Sequence, residues 1–581
     1  MNSVRFHNVV NISIPLIVVG GLLCGLPGCN NDAEILQRAK RNQKAQLNSV
    51  ESKVDHLSEA TNYLAKMVEL DRQAATRQIT YHLNAWLEDV PKPDGYALPE
   101  IAQPMAQQFP EAFATVRPDS EAFLPSDADY LRRCYLLRQV ADWVSFGPLH
   151  DSILKSWLTD SDNGLGDDAL ADLQKACRLF DWTIRNVQLE PARFPESARR
   201  VAPKNLPPGL PFDGPGYRQT LEEALWRGTG DGLQRARVFM ALCRQVDVNA
   251  CMLAVKHPEN GQPLPWLVGV RAGQQIYLFD LVVGIHVPGP NQQGIATLAE
   301  AKEDSSILRR MNVPGLFDYP IEQSWVEKVD ALFDIATEAV SWRMRTLEEG
   351  LTGDARMHLA HDPKLVDLFQ NDTLIEEVRP WPIDIIAQRY QVAIQRAMVD
   401  DLKVLFDQQI RWGMLAPSQP LAAARWKHLT GQIDKNAEED VEGARVLYMQ
   451  QRIADSDIEN LPYDVNLQMQ MNARRQPGQS QEHYDQQLQI IQANLRRAKQ
   501  AATFWLALIQ FEDERYENAA TWQQKRVLDR ETVSPWTPSA RYNVARSLEH
   551  LDKTDEAVDY YKTQGDPQEH GNRIRARLLT P

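Results

Sequence analysis

Cysteine is scarce in this chain, with six residues among 581. Two of them, Cys24 and Cys29, lie in an apolar stretch at the N-terminus. The other four are Cys134, Cys177, Cys243 and Cys251. So few cysteines in so long a chain exclude a fold held together by a disulfide framework. A single bridge stays open as an alternative to four small buried thiols.

Positive charge and nucleotide or metal motifs are also lacking. Lysine and arginine number 63 against 78 acidic residues, which gives a net charge of -15. Broad nucleic-acid binding requires clustered cationic surface and is therefore excluded. No P-loop, HExxH or GxSxG pattern occurs. His358 and His361 form a two-ligand pattern without a nearby third, so we expect neither a metal nor a cofactor.

Long apolar runs are missing everywhere except between Val9 and Leu26. Arg5 precedes this run, and Leu26-Pro27-Gly28-Cys29 ends it. A basic start, an apolar middle and a small residue before the cleavage point are typical of a secretory signal. The last four residues resemble a bacterial lipobox. Residues 1–28 are thus predicted to be a lipoprotein signal peptide, with Cys29 anchoring an exported protein to a cell-envelope bilayer. A plain signal peptide or membrane anchor is the alternative.

Residues 29–90 have apolar side chains at seven-residue spacing and are predicted to form a helical stalk. One column holds Leu47, Val54, Thr61 and Val68; the other holds Val50, Leu57 and Leu64. Such heptads predict a coiled coil and self-association through 31–85. A long amphipathic helix packed on its own domain is the alternative. Seven prolines then predict a linker or an irregular cover over 91–128.

Residues 129–320 contain the sequence pattern that says most about the fold and the function of this chain. GTGDGLQRARVFMALCRQVDVNACMLAV (228–255) predicts a loop, a buried helix and a strand, and the runs 266–270 and 276–283 predict two more strands. This order resembles the catalytic half of transglutaminase-like, papain-related domains, as does FDWTIRNV (180–187) before it. The resemblance implies an α+β fold with a cysteine at the helix start, a histidine on a following strand and an aspartate on the next.

The resemblance places these three groups at Gly232, Leu264 and Asp280. Only the aspartate is present, and triad members act as a unit, so the resemblance implies that the covalent reaction is lost. Asp280 is then expected to tie down a strand end or to line a binding cleft.

A relocated site would have to draw on Cys243 or Cys251 with His257 or His286. Cys243 is expected to pack in the core, which leaves Cys251 and His286 as the candidates. For this histidine, however, a surface position is expected.

Helical patterns dominate after residue 320, in a helical region over 321–495 and repeats over 496–581. The small residues Ala507 and Ala519 are followed 38 residues later by Ala545 and Ala557. YNVARSLEHLDKTDEAVDYYK (542–562) resembles a tetratricopeptide repeat, which implies stacked helices that bind a protein partner. The chain is predicted to be mostly α overall and to act as a binding or scaffolding module. The alternative is a cysteine peptidase or protein-glutamine acyltransferase with a relocated nucleophile.

Overall fold

The computed structural model describes residues 54–67, 70–93, 95–160, 164–191, 216–416, 419–437, 441–530 and 533–580. The chain divides into two units, Met1–Asp55 and His56–Pro581. The predicted signal peptide, Cys29 and the first heptad positions lie outside the described residues. The description below concerns the second unit.

Helices make up most of the described chain, which confirms the prediction of a mostly α protein with a sheet. The N-terminal α-helices are α1 His56–Ala65, α2 Arg72–Leu87, α3 Gln103–Gln108, α4 Pro110–Val116, α5 Pro125–Phe146, α6 Ser152–Thr159, α7 Asp167–Asn186, α8 Leu221–Arg227 and α9 Gly232–Gln245. The middle ones are α10 Leu298–Glu303, α11 Ser305–Arg309, α12 Gln323–Val326, α13 Trp342–Gly350, α14 Pro363–Gln370, α15 Ile383–Asp400, α16 Leu402–Trp412 and α17 Pro420–Leu429. The C-terminal ones are α18 Ala444–Gln450, α19 Asp455–Asn460, α20 Val465–Gln470, α21 Gln481–Glu512, α22 Tyr516–Gln523, α23 Thr537–His550, α24 Thr554–Tyr561 and α25 Glu569–Leu579.

A six-stranded mixed sheet lies at the centre. The strands are β1 Gln188–Leu189, β2 Thr229–Gly230, β3 Asn249–Lys256, β4 Pro263–Ala272, β5 Gln275–Asp280, β6 Ile285–His286, β7 Val329–Asp334 and β8 Glu377–Trp381. The sheet order is β6-β5-β4-β3-β7-β8, with only β7 and β8 parallel; β1 and β2 form a separate parallel pair. Because β7 and β8 belong to this sheet, the predicted domain border at residue 320 divides one sheet.

Helix α9 packs on one face of the sheet through its apolar stripe. Val238, Phe239 and Leu242 are fully buried, and the Phe239 ring lies 5.7 Å from that of Phe180 on α7 and 5.5 Å from that of Phe279 on β5. Such offset aromatic contacts add to the free energy gained by apolar burial. This cluster fixes α9 against β3–β5.

The opposite face of the sheet is covered in part by the proline-rich stretch that was predicted to be a linker or an irregular cover. Met105, Phe109 and Phe113, on and between α3 and α4, are buried against sheet residues such as Leu253 and Leu278. In this part the stretch therefore follows the interpretation as an irregular cover rather than that as a linker. Two of its prolines, Pro104 and Pro110, stand in the first turns of short helices, where the missing N–H costs nothing.

The first two helices pack on the same unit rather than extending from it. Leu64 of α1 and Leu83 of α2 are buried in a cluster with Leu131 of α5 and Met344 of α13. For the described residues, the arrangement therefore follows the alternative of an amphipathic segment packed on its own domain. Self-association through 31–85 stays a prediction, since most of its heptad positions precede the described residues.

The C-terminal helices join the same core. The four alanines at the repeat positions are fully buried: Ala507, Ala519, Ala545 and Ala557. Val544 and Tyr561 share a cluster with Leu179 of α7 and with Phe239. Buried ion pairs strengthen this contact, because Arg546 pairs with Asp181 of α7. The helices after residue 496 are thus continuous with the sheet-containing core.

Candidate functional site

The start of α9 is the position at which the resemblance places a nucleophile. The Asp231 carboxylate caps this helix by accepting a hydrogen bond from the Gln234 amide at 2.9 Å, and the Gln234 side chain accepts from the Asp231 amide at 3.0 Å. This reciprocal capping fixes the first turn and satisfies two otherwise unpaired amides. Asp231 also accepts from the Gly216 amide at 2.9 Å.

Gly232 occupies a place where no side chain fits. A Cβ built on this residue would lie 2.6 Å from the Val282 Cα and 2.7 Å from the Val282 Cγ2. Carbon atoms in proteins do not approach so closely, and the clash involves backbone, which cannot rotate away. The space that a cysteine would need is filled by the turn after β5.

Asp280 is fully engaged in holding that turn. Its Oδ1 accepts hydrogen bonds from the Val282 and Val283 amides, both at 2.9 Å, and its Oδ2 accepts from the Tyr319 hydroxyl at 2.7 Å. Tyr319 in turn accepts from the Trp266 indole N–H at 2.7 Å. Burial raises the pKa of Asp280, and these hydrogen bonds oppose the rise. The carboxylate ties down the strand end, one of the two roles expected for it.

Leu264 does not lie opposite Asp280. The β4–β5 register pairs Val268 with Phe279, so position 267 faces Asp280. Leu264 is three residues farther along β4, or about 10 Å at about 3.3 Å per residue, and its surface is 38% exposed. The sequence spacing of sixteen residues therefore differs from the register that the hairpin adopts. The structure brings Gly232 and Asp280 to the same turn and leaves Leu264 outside.

The candidates for a relocated site are also separated. Cys251 pairs with Gly269 on β4, whereas His286 lies on β6 and pairs with Phe279. The two strands are three positions apart in the sheet, about 14 Å at about 4.8 Å per strand. Burial raises the pKa of the Cys251 thiol and lowers that of His286 to about 4. His286 is buried, so its expected surface position is wrong; the charges of Asp151 and of Arg575 on α25 act on its ring.

The four described cysteines are all buried and unbridged, so the single disulfide that the sequence left open is not formed among them. Burial raises the pKa of each of these thiols. A raised thiol pKa disfavours the thiolate, which is the nucleophilic form. They act as small apolar side chains in the core.

A cavity of about 260 Å³ lies on another side of α9, below its C-terminal half. Its walls come from α5, α9, the start of β3, the end of β7 and the segment 358–365. The charged and imidazole side chains around it are Arg133, Arg237, Arg244, Asp247, Asp334, His358, His361, Asp362 and Asp384. Arg237 donates to Asp334 at 2.6 Å and to Asp384 at 2.8 Å, and Arg133 donates to Asp384 at 3.0 Å.

The segment that carries the two histidines forms one wall of this cavity. Glu348 accepts hydrogen bonds from the Leu359 and Ala360 amides at 2.6 Å. Hydrogen bonds to Asp247 and Glu348 raise the pKa of His358 to about 9, so it is protonated at neutral pH. Burial lowers the pKa of His361 to about 4. The described residues contain no group of three His, Cys, Asp or Glu side chains placed to hold a metal ion.

Sequence reasoning missed this cavity, although one signal was available. Arg237 and Arg244 are seven residues apart, and so lie on the same face of α9. An arginine at a position buried by helical periodicity needs a partner, which predicts acidic residues or a polar space nearby. The acidic partners Asp334 and Asp384 come from distant segments and have no such signature.

No family model, curated protein or solved structure matches the chain. In the part of the chain that the structure describes, no helix is both long and apolar enough to cross a bilayer.

Proposed function

We propose that the chain is a non-catalytic, transglutaminase-like scaffold of the bacterial cell envelope, with tetratricopeptide-like helices at its C-terminus. Residues 1–28 direct its export, Cys29 carries the lipid that anchors it to the bilayer, and the helical half binds another protein. The single observation that carries the proposal is the space at Gly232, which Val282 fills. A scaffold of this kind keeps the helix and strands of the resemblance without its nucleophile and base.

The helical half offers a specific surface for a partner. Leu402, Phe406 and Ile410 stand on successive turns of α16 and are 68%, 43% and 46% exposed. With Ile490 and Ala493 of α21, Phe406 and Ile410 line a groove of about 260 Å³. Exposed apolar side chains at i, i+4 and i+8 favour docking of an amphipathic helix. We define these five residues as the α16–α21 groove.

The polar side chains at the rim of the α16–α21 groove indicate which charges the partner helix should carry. Its polar side chains are amides, namely Gln409, Gln486, Gln489 and Asn494, together with Arg497. Burial lowers the pKa of Arg497, and among the described residues no carboxylate pairs with it. The rim thus has four neutral amides and one arginine that no described carboxylate pairs with. It suits a partner helix with an apolar face and one carboxylate placed to contact Arg497.

Partner binding is tested by affinity capture from envelope membranes with the full chain. The variant Phe406→Glu/Ile410→Glu places two charges in the groove and should lose the partner, because a charge buried in an apolar contact is costly. The matched control is Tyr463→Glu, an 85% exposed aromatic outside the groove. The protein that the unmodified chain captures and the double variant does not is then purified and titrated against both variants. Equal binding by both would contradict the assigned surface.

The non-catalytic part of the proposal is tested with the same protein. Amine incorporation into casein and cleavage of casein are measured for the full chain and for Cys251→Ser. We expect no activity above the buffer control for either. Activity that is sensitive to a thiol reagent and is lost in Cys251→Ser would instead establish the peptidase or acyltransferase alternative.

A further inference from the structure

The cavity below α9 contains an arginine that forms no direct ion pair with the described residues. Arg133 and Arg237 pair with Asp334 and Asp384. Arg244, by contrast, donates to the Ala360 carbonyl and hydrogen-bonds the Tyr130 side chain, and Glu348 acts on its charge without forming an ion pair within 4.0 Å among the described residues. A bound anion would supply the direct ion pair that these neighbours do not.

The cavity also contains His361, a second group that can contact an anion. His361 is only 8% exposed, and its ring makes no hydrogen bond or ion pair with the residues that the structure describes, while its backbone N–H and carbonyl are both bonded. A neutral imidazole keeps one N–H that can donate to an anion. His361 and Leu332 also line a larger groove of about 1060 Å³ outside the sheet edge, which provides an entry path.

The size and the remaining lining narrow the class of ligand. A volume of about 260 Å³ leaves room for a small organic molecule. The apolar side chains that face it are Leu137, Met240, Leu332, Ile335 and Ala336. A second negative charge on the ligand would meet Asp334 and Asp384. The lining therefore suits one carboxylate on a short apolar body.

We propose that this cavity binds a small monocarboxylate, whose carboxylate is held by Arg244 and His361 and whose apolar body contacts Met240 and Ala336. Such a guanidinium–carboxylate contact is among the stronger hydrogen bonds in proteins. The carboxylate can belong to a free short-chain or aromatic acid or to the C-terminus of a peptide lying in the outer groove. This site does not depend on the scaffold function proposed above.

Calorimetric titration of the full chain tests the site with isovalerate and benzoate, and with the neutral isosteres isovaleramide and benzamide. We expect the acids to bind at least about tenfold more tightly than the amides, because only the acids can form an ion pair with Arg244. Arg244→Gln, which keeps a donor for the Ala360 carbonyl, should weaken acid binding by at least about tenfold. The control Arg515→Gln removes an arginine that lies far from the cavity lining and should bind as the unmodified chain does.

A cavity-filling variant and a peptide distinguish the remaining outcomes. Ala336→Leu should abolish acid binding while the thermal unfolding midpoint stays within a few degrees, which excludes loss by unfolding. A tripeptide ending in leucine that binds more tightly than isovalerate, and loses binding when amidated, identifies a peptide C-terminus as the source; tighter isovalerate binding identifies a free acid. Equal affinity for acids and amides, unchanged binding by Arg244→Gln, or no binding up to about 10 mM would overturn the proposal.

Discussion

The two ends of α9 differ in how the space beside them is filled. At the N-terminal end, Val282 occupies the space beside Gly232, and both Asp280 oxygens accept hydrogen bonds. Beside the C-terminal half lies the cavity of about 260 Å³, lined by Arg244, Asp334 and Asp384. Buried polar atoms without a hydrogen-bond partner are found near both ends, for example the Gln234 Nε2 and the Asp334 Oδ1. Unmet buried polar atoms cost roughly 1–3 kcal/mol each. The N-terminal end, which resembles an active site, is therefore packed like a protein core. The C-terminal half, to which the resemblance assigns no role, lies beside a cavity with polar walls.

The largest loss of stability is expected from the buried ion pairs that hold the C-terminal helices to the core. The Arg575 guanidinium on α25 donates to Glu549 twice at 2.7 Å and to Asp151 at 2.8 Å, and all three residues are buried. Arg575→Met should lower the free energy of unfolding by about 3–5 kcal/mol, because it removes the nearest cation from two buried carboxylates and leaves them the more distant Arg546. Urea denaturation measures this change.

The neighbouring Arg573 provides the control for that prediction. It lies on the same helix but pairs with Glu569 nearer the surface. Arg573→Met should cost less than about 1 kcal/mol, as partly exposed pairs do. Equal destabilisation by the two variants would show that the buried pairs contribute nothing special to this contact.

Restoring the nucleophile of the resemblance should damage the fold rather than create activity. Gly232→Cys forces the Val282 backbone to move, which should cost about 3 kcal/mol by overpacking. Gly95→Ala is the control, since nothing lies within 4 Å of the Cβ that it adds. Chemical denaturation of both variants gives the comparison. A stable Gly232→Cys protein would mean that the turn after β5 yields easily, and would weaken the case for a filled site.

Removing one polar group near each end of α9 should change the free energy of unfolding by different amounts, and both changes should be smaller than that of Gly232→Cys. Tyr319→Phe leaves Asp280 and the Trp266 indole each short of one hydrogen bond and should cost about 2 kcal/mol. His361→Leu removes a ring without hydrogen bonds and should change the free energy of unfolding by less than about 0.5 kcal/mol. Thermal unfolding of the two variants measures the difference. A larger cost for His361→Leu would show that its ring supports the fold.

The smallest expected change in stability comes from the titration of His358, which lies in the wall of the cavity. His358 has its pKa raised to about 9 by hydrogen bonds to Asp247 and Glu348. Its stabilising contribution is therefore complete below the unfolded pKa of about 6.5 and is lost as pH rises through about 9. Because Asp247 is largely exposed, solvent screening should reduce the loss to about 1 kcal/mol. Denaturation curves between these pH values measure it, and His358→Gln should show no such fall.

The sequence predicted the local elements of this core better than their register. The runs at 252–255, 266–270 and 276–283 all lie in or next to β3, β4 and β5, because apolar periodicity marks strands directly. Strand β8 was missed because it is five residues long and contains Pro380. Register depends on pairing across the hairpin, so the offset of Leu264 from Asp280 was not available from spacing alone.

The cavity and the helical half were beyond sequence reasoning for another reason. The sequence places Arg237 and Arg244 on one face of α9, but the cavity exists only where α5 and the segment 358–362 lie beside that face. The repeat positions were visible as alanines, yet their packing on α7 depends on buried ion pairs between segments far apart in the chain. Contacts of that kind leave no periodic trace.

The position of α25 sets an order on folding. This helix is made last among the described elements, and its Gly571 lies against the carbonyl of Val283, in the turn that fills the space beside Gly232. Its Ile574 completes the cluster on one face of the sheet. Contacts between segments so distant in sequence form slowly, since a long loop must close first. Under the proposed export, a core that includes α25 would give the unfolded chain more time to cross the membrane.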